Sequence, residues 1–161
     1  MAYSDSTWNS NPDNSRSRSG YVIFFNGCLI AWKSTLQSLV TLSSCEAEYV
    51  ALNLAARETV WLRRLLGELL FPQNPTTIFV DNQSTIALTK HQMVKPRTKH
   101  IAMRYHWIKE QVAGGVIIVK YVPTADNVAD FITKILSKEQ MQHLLKDALE
   151  EDEDEEEESD Y

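Results

Sequence analysis

Four carboxylates in this sequence could together carry metal-ion chemistry. Asp5 and Asp81 each end a short apolar segment, Glu48 opens an amphipathic stretch, and Asp130 lies in the last third of the chain. Taken singly, these acids would be ordinary turn or helix residues. Gathered at one edge of a sheet, like charges raise one another's pKa unless cations neutralise them. We therefore interpret the four acids as one site for divalent cations.

Oxygen ligands favour magnesium at such a site. Mg²⁺ keeps several of its waters, so a shallow cluster of carboxylates completed by a substrate phosphate suits it better than a closed protein cage. Two such ions can drive phosphodiester cleavage, because one activates the attacking water while the other stabilises the leaving 3′ oxygen. The acids thus predict a nuclease-type site that holds two ions of Mg²⁺ or Mn²⁺.

The cysteines and histidines favour no other metal. Cys28 and Cys45 form no CxxC pair, so we expect buried, reduced thiols rather than a disulfide or a zinc site. His100 and His106 are six residues apart on one predicted helix and do not share a face as i, i+4 ligands would. We expect these histidines to pack against the protein or to contact phosphate.

Short apolar runs predict five strands. A very short segment at the amino terminus comes first. Runs at residues 21–25 and 29–32 follow and flank Asn26-Gly27-Cys28, a pattern typical of a hairpin whose turn needs a positive φ. Residues 77–80 form the fourth predicted strand. Residues 116–122 form the fifth and are apolar enough to be buried on both faces of a sheet.

Five helices are predicted between these strands and after them. The first begins at a capping box made by Ser43 and Glu46, and helical spacing continues to Leu66 or Leu70. The others are predicted at residues 82–88, from about His100 to Val112, at 127–134 and at 138–149. The order βββαβααβαα predicts an α/β fold with a mixed sheet and helices on both faces. We expect Trp32, Trp61 and Trp107 in its core.

The first helix should present only one of its two early glutamates to the acid site, since residues two apart on a helix point about 200° apart. Glu48 leads a stripe of small and aliphatic residues that should pack on the sheet, namely Ala51, Leu52, Ala55, Leu62 and Leu66. Glu46 leads a more polar face and satisfies the capping box. We predict that Glu48 is catalytic and that Glu46 is structural.

Charge is divided unevenly along the chain. Ten of the 22 acidic residues lie in residues 150–161, whereas residues 1–149 carry the other 12 and all 16 Lys and Arg, a formal charge of about +4. We predict one globular domain over residues 1–149 and a disordered acidic tail over 150–161. A mildly basic domain suits a phosphate backbone as partner. No stretch has the length and apolarity of a membrane span, so we expect no membrane partner.

Short blocks along the chain also resemble a known family. In order they are Tyr3-Ser4-Asp5, Ser19 to Val22, Leu42 to Tyr49, Trp61 to Leu66, Asp81-Asn82-Gln83-Ser84, Arg97 to Ile101, Arg104-Tyr105-His106, Tyr121 to Thr124, Ala129-Asp130 and Thr133-Lys134. Together they resemble the ribonuclease H domain of the Pol polyprotein of copia-type LTR retrotransposons. The resemblance carries that family's four-carboxylate metal site onto Asp5, Glu48, Asp81 and Asp130.

The resemblance implies a ribonuclease H-like fold, with a mixed five-stranded sheet, and an endoribonuclease. Such an enzyme would hydrolyse the RNA strand of RNA–DNA hybrids by a two-metal-ion mechanism during reverse transcription. It implies an upstream reverse transcriptase domain as partner and an intracellular location, either cytoplasmic in a retroelement particle or nuclear. The chain departs from the family at Thr7, where a second Asp is common, and at Ala102, where an acid is usual. We expect catalysis to survive both departures.

Substrate contacts are predicted around the acids. The basic residues near the helix predicted from His100 share the ability to grip hybrid phosphates, and they are Lys95, Arg97, Lys99, Arg104 and Lys109. A solvated helix face is the alternative for them. Asn82 and Ser84 would contact the minor groove, with helix capping as their alternative. RNA would be selected by its 2′-hydroxyls and A-like shape, so cleavage should be largely independent of sequence.

Two other classes of function stay open at this point. One is a domesticated, catalytically weak nucleic-acid-binding module of the same fold, against which the four retained acids argue. The other is a different nuclease or an integrase. An integrase would show a D,D-35-E arrangement of acids and would lack the blocks at Trp61 to Arg64 and Asp81 to Ser84. Hydrolysis of a labelled hybrid separates the three.

Overall fold

The part of the chain that the structure describes contains five strands, five α-helices and a short 3₁₀ helix at Thr124–Asp126. The computed structural model describes residues 1–90 and 102–150. Its elements are β1 (Ala2–Thr7), β2 (Arg18–Phe25), β3 (Cys28–Leu36), α1 (Ser44–Glu68), β4 (Thr76–Val80), α2 (Gln83–Lys90), α3 (Ala102–Ala113), β5 (Ile117–Tyr121), α4 (Asp130–Thr133) and α5 (Lys138–Glu150). The predicted order of elements is confirmed. The start predicted for α3 at His100 lies outside the described residues.

The sheet is mixed, as predicted. Its strand order is β3-β2-β1-β4-β5, in which β1 pairs antiparallel with β2 and parallel with β4. Ala2 pairs with Ile78, and this register, continued along the two strands, sets Asp5 beside Asp81. The pairing of the central strands therefore brings two acids together that are far apart in the sequence.

A two-residue turn closes the β2–β3 hairpin. Asn26 and Gly27 have φ values of 46° and 69°. Both residue types tolerate positive φ, and such a turn matches the twist of the strands that it joins. The predicted hairpin is confirmed, and its second strand is longer than the sequence pattern indicated.

Apolar side chains cover the sheet on both faces. On one face, Tyr49 and Leu52 of α1 pack with Ile78 and Ile117 of the sheet and with Ile108 of α3. On the opposite face, the side chains of Tyr3, Val22 and Phe24 form a second cluster with Val128 and Ala129, just before α4. Successive residues of a strand point to opposite faces, so β1 and β2 serve both clusters. Helices on both faces are thus confirmed.

The prediction that the fifth strand is buried on both faces is wrong. Ile118 of β5 is 41% exposed, and Lys120, on the same face of the strand, is also exposed. The reason is the position of β5 at the edge of the sheet, where α2 and α3 cover only one of its faces. A continuous apolar run does not distinguish such an edge strand from a central one.

The burial predicted for Trp32, Trp61 and Cys28 is also wrong. Trp32 is 63% exposed because it lies on β3, the other edge strand, and Trp61 is 55% exposed because it points away from the sheet. Trp107 packs partly buried against the core, as expected. Cys28 is exposed beside the hairpin turn and Cys45 is half-buried, although both are free thiols as predicted.

None of the helices in residues 1–90 and 102–150 has the length and apolarity needed to span a bilayer.

Candidate metal centre

Three of the four predicted acids meet near the carboxyl ends of the central strands β1 and β4. Asp5 comes from β1, Asp81 follows β4, and Asp130 begins α4. One carboxylate oxygen of each lies within 4.8 Å of those of the other two. Asp5 and Asp130 are buried and Asp81 is half-buried. The fold therefore assembles three oxygen donors that could hold a metal ion.

Glu48 approaches this cluster from α1. It is buried, and its Oε1 accepts hydrogen bonds from the backbone N and the Oγ of Ser6, at 3.1 and 3.0 Å. Its Oε2 is buried and has no hydrogen-bond partner among the described residues. Burial, followed by the charges of Asp5 and Asp81, holds the pKa of Glu48 well above its usual range. An unpaired buried carboxylate oxygen is costly unless a cation satisfies it.

Glu46 takes a different role at the start of the same helix. Ser43 caps α1 by accepting a hydrogen bond from the backbone N of Glu46 through its Oγ, at 3.2 Å. The Oε2 of Glu46 in turn accepts from the backbone N of Leu42, at 2.8 Å, so the reciprocal bond falls one residue before the cap. Glu46 is therefore engaged in capping, whereas Glu48 faces the acids.

Lys134 places an ammonium group among the carboxylates. Its Nζ lies 2.8 Å from Asp130 Oδ1 and 3.3 Å from Asp5 Oδ1. Burial alone would lower the pKa of Lys134, but the hydrogen bond that it donates to Asp130 and the charges of Asp5 and Asp130 raise it. Lys134 is not among the predicted site residues, although its i, i+4 spacing from Asp130 is a signal in the sequence that could have identified it.

The acids still repel one another despite this ammonium. Burial, then the charge of Asp5, raises the pKa of Asp130 to about 6, and Lys134 opposes the shift. Burial and Asp5 also raise the pKa of Asp81, against a hydrogen bond from Thr124. All the possible metal ligands are oxygen atoms, and one of them has no hydrogen-bond partner among the described residues. The raised pKa values mean that the acids resist full ionisation. These residues fit a divalent cation such as Mg²⁺.

Asp5 and Asp130 are held in place by residues that the sequence analysis did not single out. Thr133 Oγ1 donates a hydrogen bond to Asp5 Oδ2. Asn127 is buried, donates through Nδ2 to the backbone O of Ser4 at 3.1 Å, and accepts from the backbone N of Ala129 at 3.2 Å. These bonds tie the segment that carries Asp130 to the strand that carries Asp5.

Gly20 lets α4 approach the sheet closely. It pairs with Asp5 across β1 and β2. A Cβ at this position would lie 2.5 Å from Thr133 Cγ2 and 2.9 Å from two side-chain atoms of Ile132. No side chain fits at such distances unless the side chains of Thr133 and Ile132 on α4 shift, so the absence of a side chain at residue 20 is part of the site.

The predicted substrate-binding residues that the structure describes lie at or just before the start of α2 and on α3. Asn82 is half-buried and its Oδ1 accepts from the backbone N of Thr85, at 3.0 Å, which is the capping alternative. Ser84 is exposed on the first turn of α2, beside Asp81. Arg104 and Lys109 lie half-buried on α3, and His106 is exposed there. The predictions for Lys95, Arg97, Lys99 and His100 fall outside the described residues.

Divalent cations should stabilise the protein more at neutral than at acidic pH. The pKa values of Glu48, Asp81 and Asp130 are raised, that of Asp130 to about 6, so the folded protein binds more protons than the unfolded chain at mildly acidic pH. Without metal, these groups lower the free energy of unfolding as pH rises through that window. We expect the increase in Tm on adding Mg²⁺ or Ca²⁺ to be small at about pH 5 and larger at about pH 7.5. Calorimetry in which the two increases are equal would contradict this.

Replacing Lys134 with Met should destabilise the metal-free protein more than the metal-loaded protein. The change leaves the buried carboxylates of Asp5 and Asp130 without their ammonium, at a cost of about 2–3 kcal/mol. Mg²⁺ should restore much of this loss because it neutralises the same acids. Urea unfolding in EDTA measures the loss of unfolding free energy in the metal-free protein, and urea unfolding in Mg²⁺ measures the loss in the metal-loaded protein. Lys138→Met, at an exposed position on α5, is the control, and equal losses from the two changes would refute the role of Lys134.

Several solved ribonucleases H have the same architecture. The chain matches the LC11 ribonuclease H1 in complex with an RNA/DNA hybrid with a TM-score of 0.58 and 19% identity, covering 81% of this chain and 91% of that one. It matches the N-terminal ribonuclease H domain of a Mycobacterium tuberculosis protein with a TM-score of 0.59 and 15% identity, over 91% and 97% of the two chains. The fold is the ribonuclease H fold. The acid cluster lies near the carboxyl ends of the central strands of its sheet.

The sequence relatives are retrovirus-related Pol polyproteins. The chain is 41% identical over 136 residues to the retrovirus-related Pol polyprotein from transposon TNT 1-94 of Nicotiana tabacum, covering 84% of this chain and 10% of the polyprotein. It is 37% identical over 146 residues to that from transposon RE2 of Arabidopsis thaliana, covering 90% and 10%. No family model matches. The chain spans about a tenth of the length of these relatives, so its homologues are retrovirus-related Pol polyproteins of plant transposons that match it over most of its own length.

Proposed function

We propose that this chain is a metal-dependent endoribonuclease that hydrolyses the RNA strand of RNA–DNA hybrids during retroelement reverse transcription. The observation that carries the proposal is the meeting of Asp5, Asp81 and Asp130 on a ribonuclease H fold, with Glu48 directed toward them. Homology to transposon Pol polyproteins and the copia-type blocks support the retroelement context. Because those polyproteins are about ten times longer, we also propose an upstream reverse transcriptase domain as a partner.

Asp5, Glu48, Asp81 and Asp130 would hold two ions of Mg²⁺ or Mn²⁺. Ions held there would neutralise the acids, activate the attacking water and stabilise the leaving 3′ oxygen. The protein itself prearranges the ligands: Ser6 fixes one oxygen of Glu48 and leaves the other free, while Thr133 orients Asp5. Such prearrangement lowers the reorganisation needed in the transition state. Lys134 would share the neutralisation of Asp5 and Asp130.

Recognition of RNA should depend on groups beside the acids. Ser84 exposes a hydroxyl next to Asp81 and is suited to a 2′-hydroxyl in the minor groove. Asn82 already accepts a hydrogen bond as a cap, and its amide nitrogen is the group that could still donate. Arg104 and the basic residues Lys95, Arg97 and Lys99 would contact phosphates, which position the duplex without reading its sequence.

A panel of labelled substrates tests the proposal. One sequence is prepared as an RNA–DNA hybrid, as single-stranded RNA and as duplex DNA, with each strand labelled in turn, and is incubated with Mg²⁺. We expect internal cuts in the RNA strand of the hybrid and none in the other substrates. Comparable cleavage of single-stranded RNA or of DNA would contradict the proposed substrate. Hybrid binding without cleavage in both Mg²⁺ and Mn²⁺ would instead support a domesticated binding module.

A further inference from the structure

Exposed apolar side chains cluster around the carboxyl end of α1. Trp61, Leu65 and Leu69 are exposed, and their spacing of four residues puts them on one side of the helix. Leu70 and Phe71, which follow the helix, are exposed as well. We call these five residues the α1-end patch. Single exposed apolar residues are common on proteins, whereas a group of neighbouring ones generally indicates a surface for a partner.

Leu70 has an unfavourable backbone conformation in this patch. Its φ is 67°, in the left-handed region that glycine adopts most easily. The turn satisfies the end of α1, because the backbone N of Leu70 donates to Gly67 O at 3.1 Å and that of Phe71 donates to Leu66 O at 2.8 Å. Glycine is the common residue in such a turn. Leu70 is 87% exposed, so the domain gains little from this leucine, and its side chain is available to a partner.

Arg63 fixes the segment that follows the patch. Its Nη2 donates to the backbone O of Gln73 at 3.0 Å, and its Nη1 donates to Thr76 Oγ1 at 3.0 Å and to the backbone O of Asn74. Thr76 begins β4, so these bonds tie the loop between α1 and β4 back onto the helix. A surface that is held in this way loses little conformational entropy when a partner binds.

The amino-terminal end of β1 lies beside the patch. A cavity of about 150 Å³ is lined by Met1, by Phe25 of β2 and by Leu62 and Leu66, which are the neighbours of Trp61 and Leu65 along α1. Because β1 is the first strand of the domain, a segment that precedes it in a longer chain enters at this cavity. The Pol polyproteins that match this chain are about ten times as long. A domain that precedes β1 in such a polyprotein is therefore joined next to the patch.

The patch is distant from the acid cluster. Asp5 lies near the carboxyl end of β1, whereas the cavity is at the amino-terminal end of the same strand. Glu48 and Trp61 are thirteen residues apart on α1, about 20 Å along the helix axis. A partner that binds the patch thus leaves the acids open to a substrate.

We propose that the α1-end patch is the docking surface for the domain that precedes β1 in the polyprotein, which is the reverse transcriptase domain proposed above. The inference rests on the proposed function for the identity of that domain. A covalently joined partner has an effective concentration on the order of millimolar, so a small apolar patch is sufficient to bind it. An unlinked second copy of this chain lacks that advantage. Docking fixes the orientation of the acid cluster relative to the preceding domain.

Hydroxyl-radical footprinting tests the proposal, because it measures the exposure of individual side chains to solvent. This chain is studied alone and in a tandem chain, where it replaces the matching region of the TNT 1-94 polyprotein behind the domain that precedes that region. We expect oxidation of Trp61 and Phe71 to be at least about 5-fold slower in the tandem chain, the result of a docked fraction of at least about 80% at millimolar effective concentration. Trp32, which is exposed on β3, is the internal control and should be oxidised equally in both chains.

Leu70→Asp separates docking from folding. Asp adopts a positive φ more readily than leucine does, and the position is exposed, so the isolated chain should keep its Tm and its hybrid turnover. In the tandem chain, a charge in the apolar contact should return the oxidation of Trp61 to the rate of the isolated chain. Met103→Asp is the matched control, since Met103 is also 87% exposed but lies on α3, and the protection of Trp61 should remain.

Three results would overturn the proposal. One is unchanged oxidation of Trp61 and Phe71 in the tandem chain, and another is protection of Trp32 in their place. The third is protection of the patch in the isolated chain that increases with protein concentration, which would assign the patch to a second copy. Hybrid cleavage by both chains is measured in parallel. Cleavage without protection refutes only the docking surface, and protection without cleavage refutes only the proposed nuclease activity.

Discussion

Replacing Glu48 with Gln should lower the turnover of an RNA–DNA hybrid by at least about 10²-fold, with little change in folding. Glu48 is buried, and its Oε2 is the unpaired oxygen directed to the acid site. Gln retains an acceptor for Ser6 but puts an amide nitrogen, which cannot ligate a cation, in place of that oxygen. Loss of one repelling charge should keep the metal-free protein at least as stable as before. Single-turnover hydrolysis and thermal unfolding measure the two effects.

Glu46→Gln is the control for this change, since it lies two residues away on the same helix. The carboxylate of Glu46 accepts a hydrogen bond from the backbone N of Leu42, and a Gln side chain can accept the same bond. We expect near-normal turnover and at most a small loss of stability, of about 0.5–1 kcal/mol. If Glu46→Gln abolished hydrolysis and Glu48→Gln left it intact, the helix phase and the assignment of the site would both be wrong.

Replacing Gly20 with Ala should reduce both stability and activity, although residue 20 has no side chain in the site. The new Cβ would collide with Thr133 and Ile132, at 2.5 and 2.9 Å. Thr133 cannot move freely because its hydroxyl is bonded to Asp5 and to the backbone O of Ala129. We expect a loss of about 1–3 kcal/mol in the free energy of unfolding, as for other overpacked sites. Displacement of α4 should lower turnover by about 10²-fold, because a shift of about 1 Å at a catalytic group costs that much.

Gly67→Ala provides the comparison. Gly67 lies near the end of α1, and a Cβ there would meet no atom within 4 Å. Alanine favours the helix over glycine by about 0.5–1 kcal/mol, so this variant should be as stable as the unchanged protein or more stable, with unchanged turnover. Urea unfolding and hybrid hydrolysis on both variants provide the test. Full activity and stability in Gly20→Ala would show that α4 does not depend on the close approach.

Much of the architecture follows from local signals in the sequence. The Asn26-Gly27 turn, the Ser43 cap and the inward stripe that follows Glu48 each depend on residues that are close in the chain. Such signals set the order of the elements. The parallel pairing of β1 with β4 then puts Asp5 beside Asp81. The acids could be predicted because their chemistry is unusual as a set, even where each residue alone is ordinary.

Most of the failed predictions concern long-range packing. Burial of β5 and Trp32 depends on which strands lie at the sheet edges, and no local pattern states this. Trp61 was assigned to the core from its residue type, although its phase on α1, next to the inward Leu62, already placed it outside the inward stripe. Ser6 and Gly20 act through contacts with segments distant in the sequence, so only the folded structure shows their roles.

The metal dependence of hybrid hydrolysis tests the central claim most directly. An RNA–DNA hybrid labelled in its RNA strand is incubated with the protein in Mg²⁺, in excess EDTA, and in EDTA to which an excess of Mg²⁺ is then restored. The acid cluster of Asp5, Glu48, Asp81 and Asp130 predicts internal cuts in Mg²⁺, none in EDTA, and recovery when Mg²⁺ returns. Undiminished cleavage in excess EDTA would contradict the assignment of these acids as a metal centre.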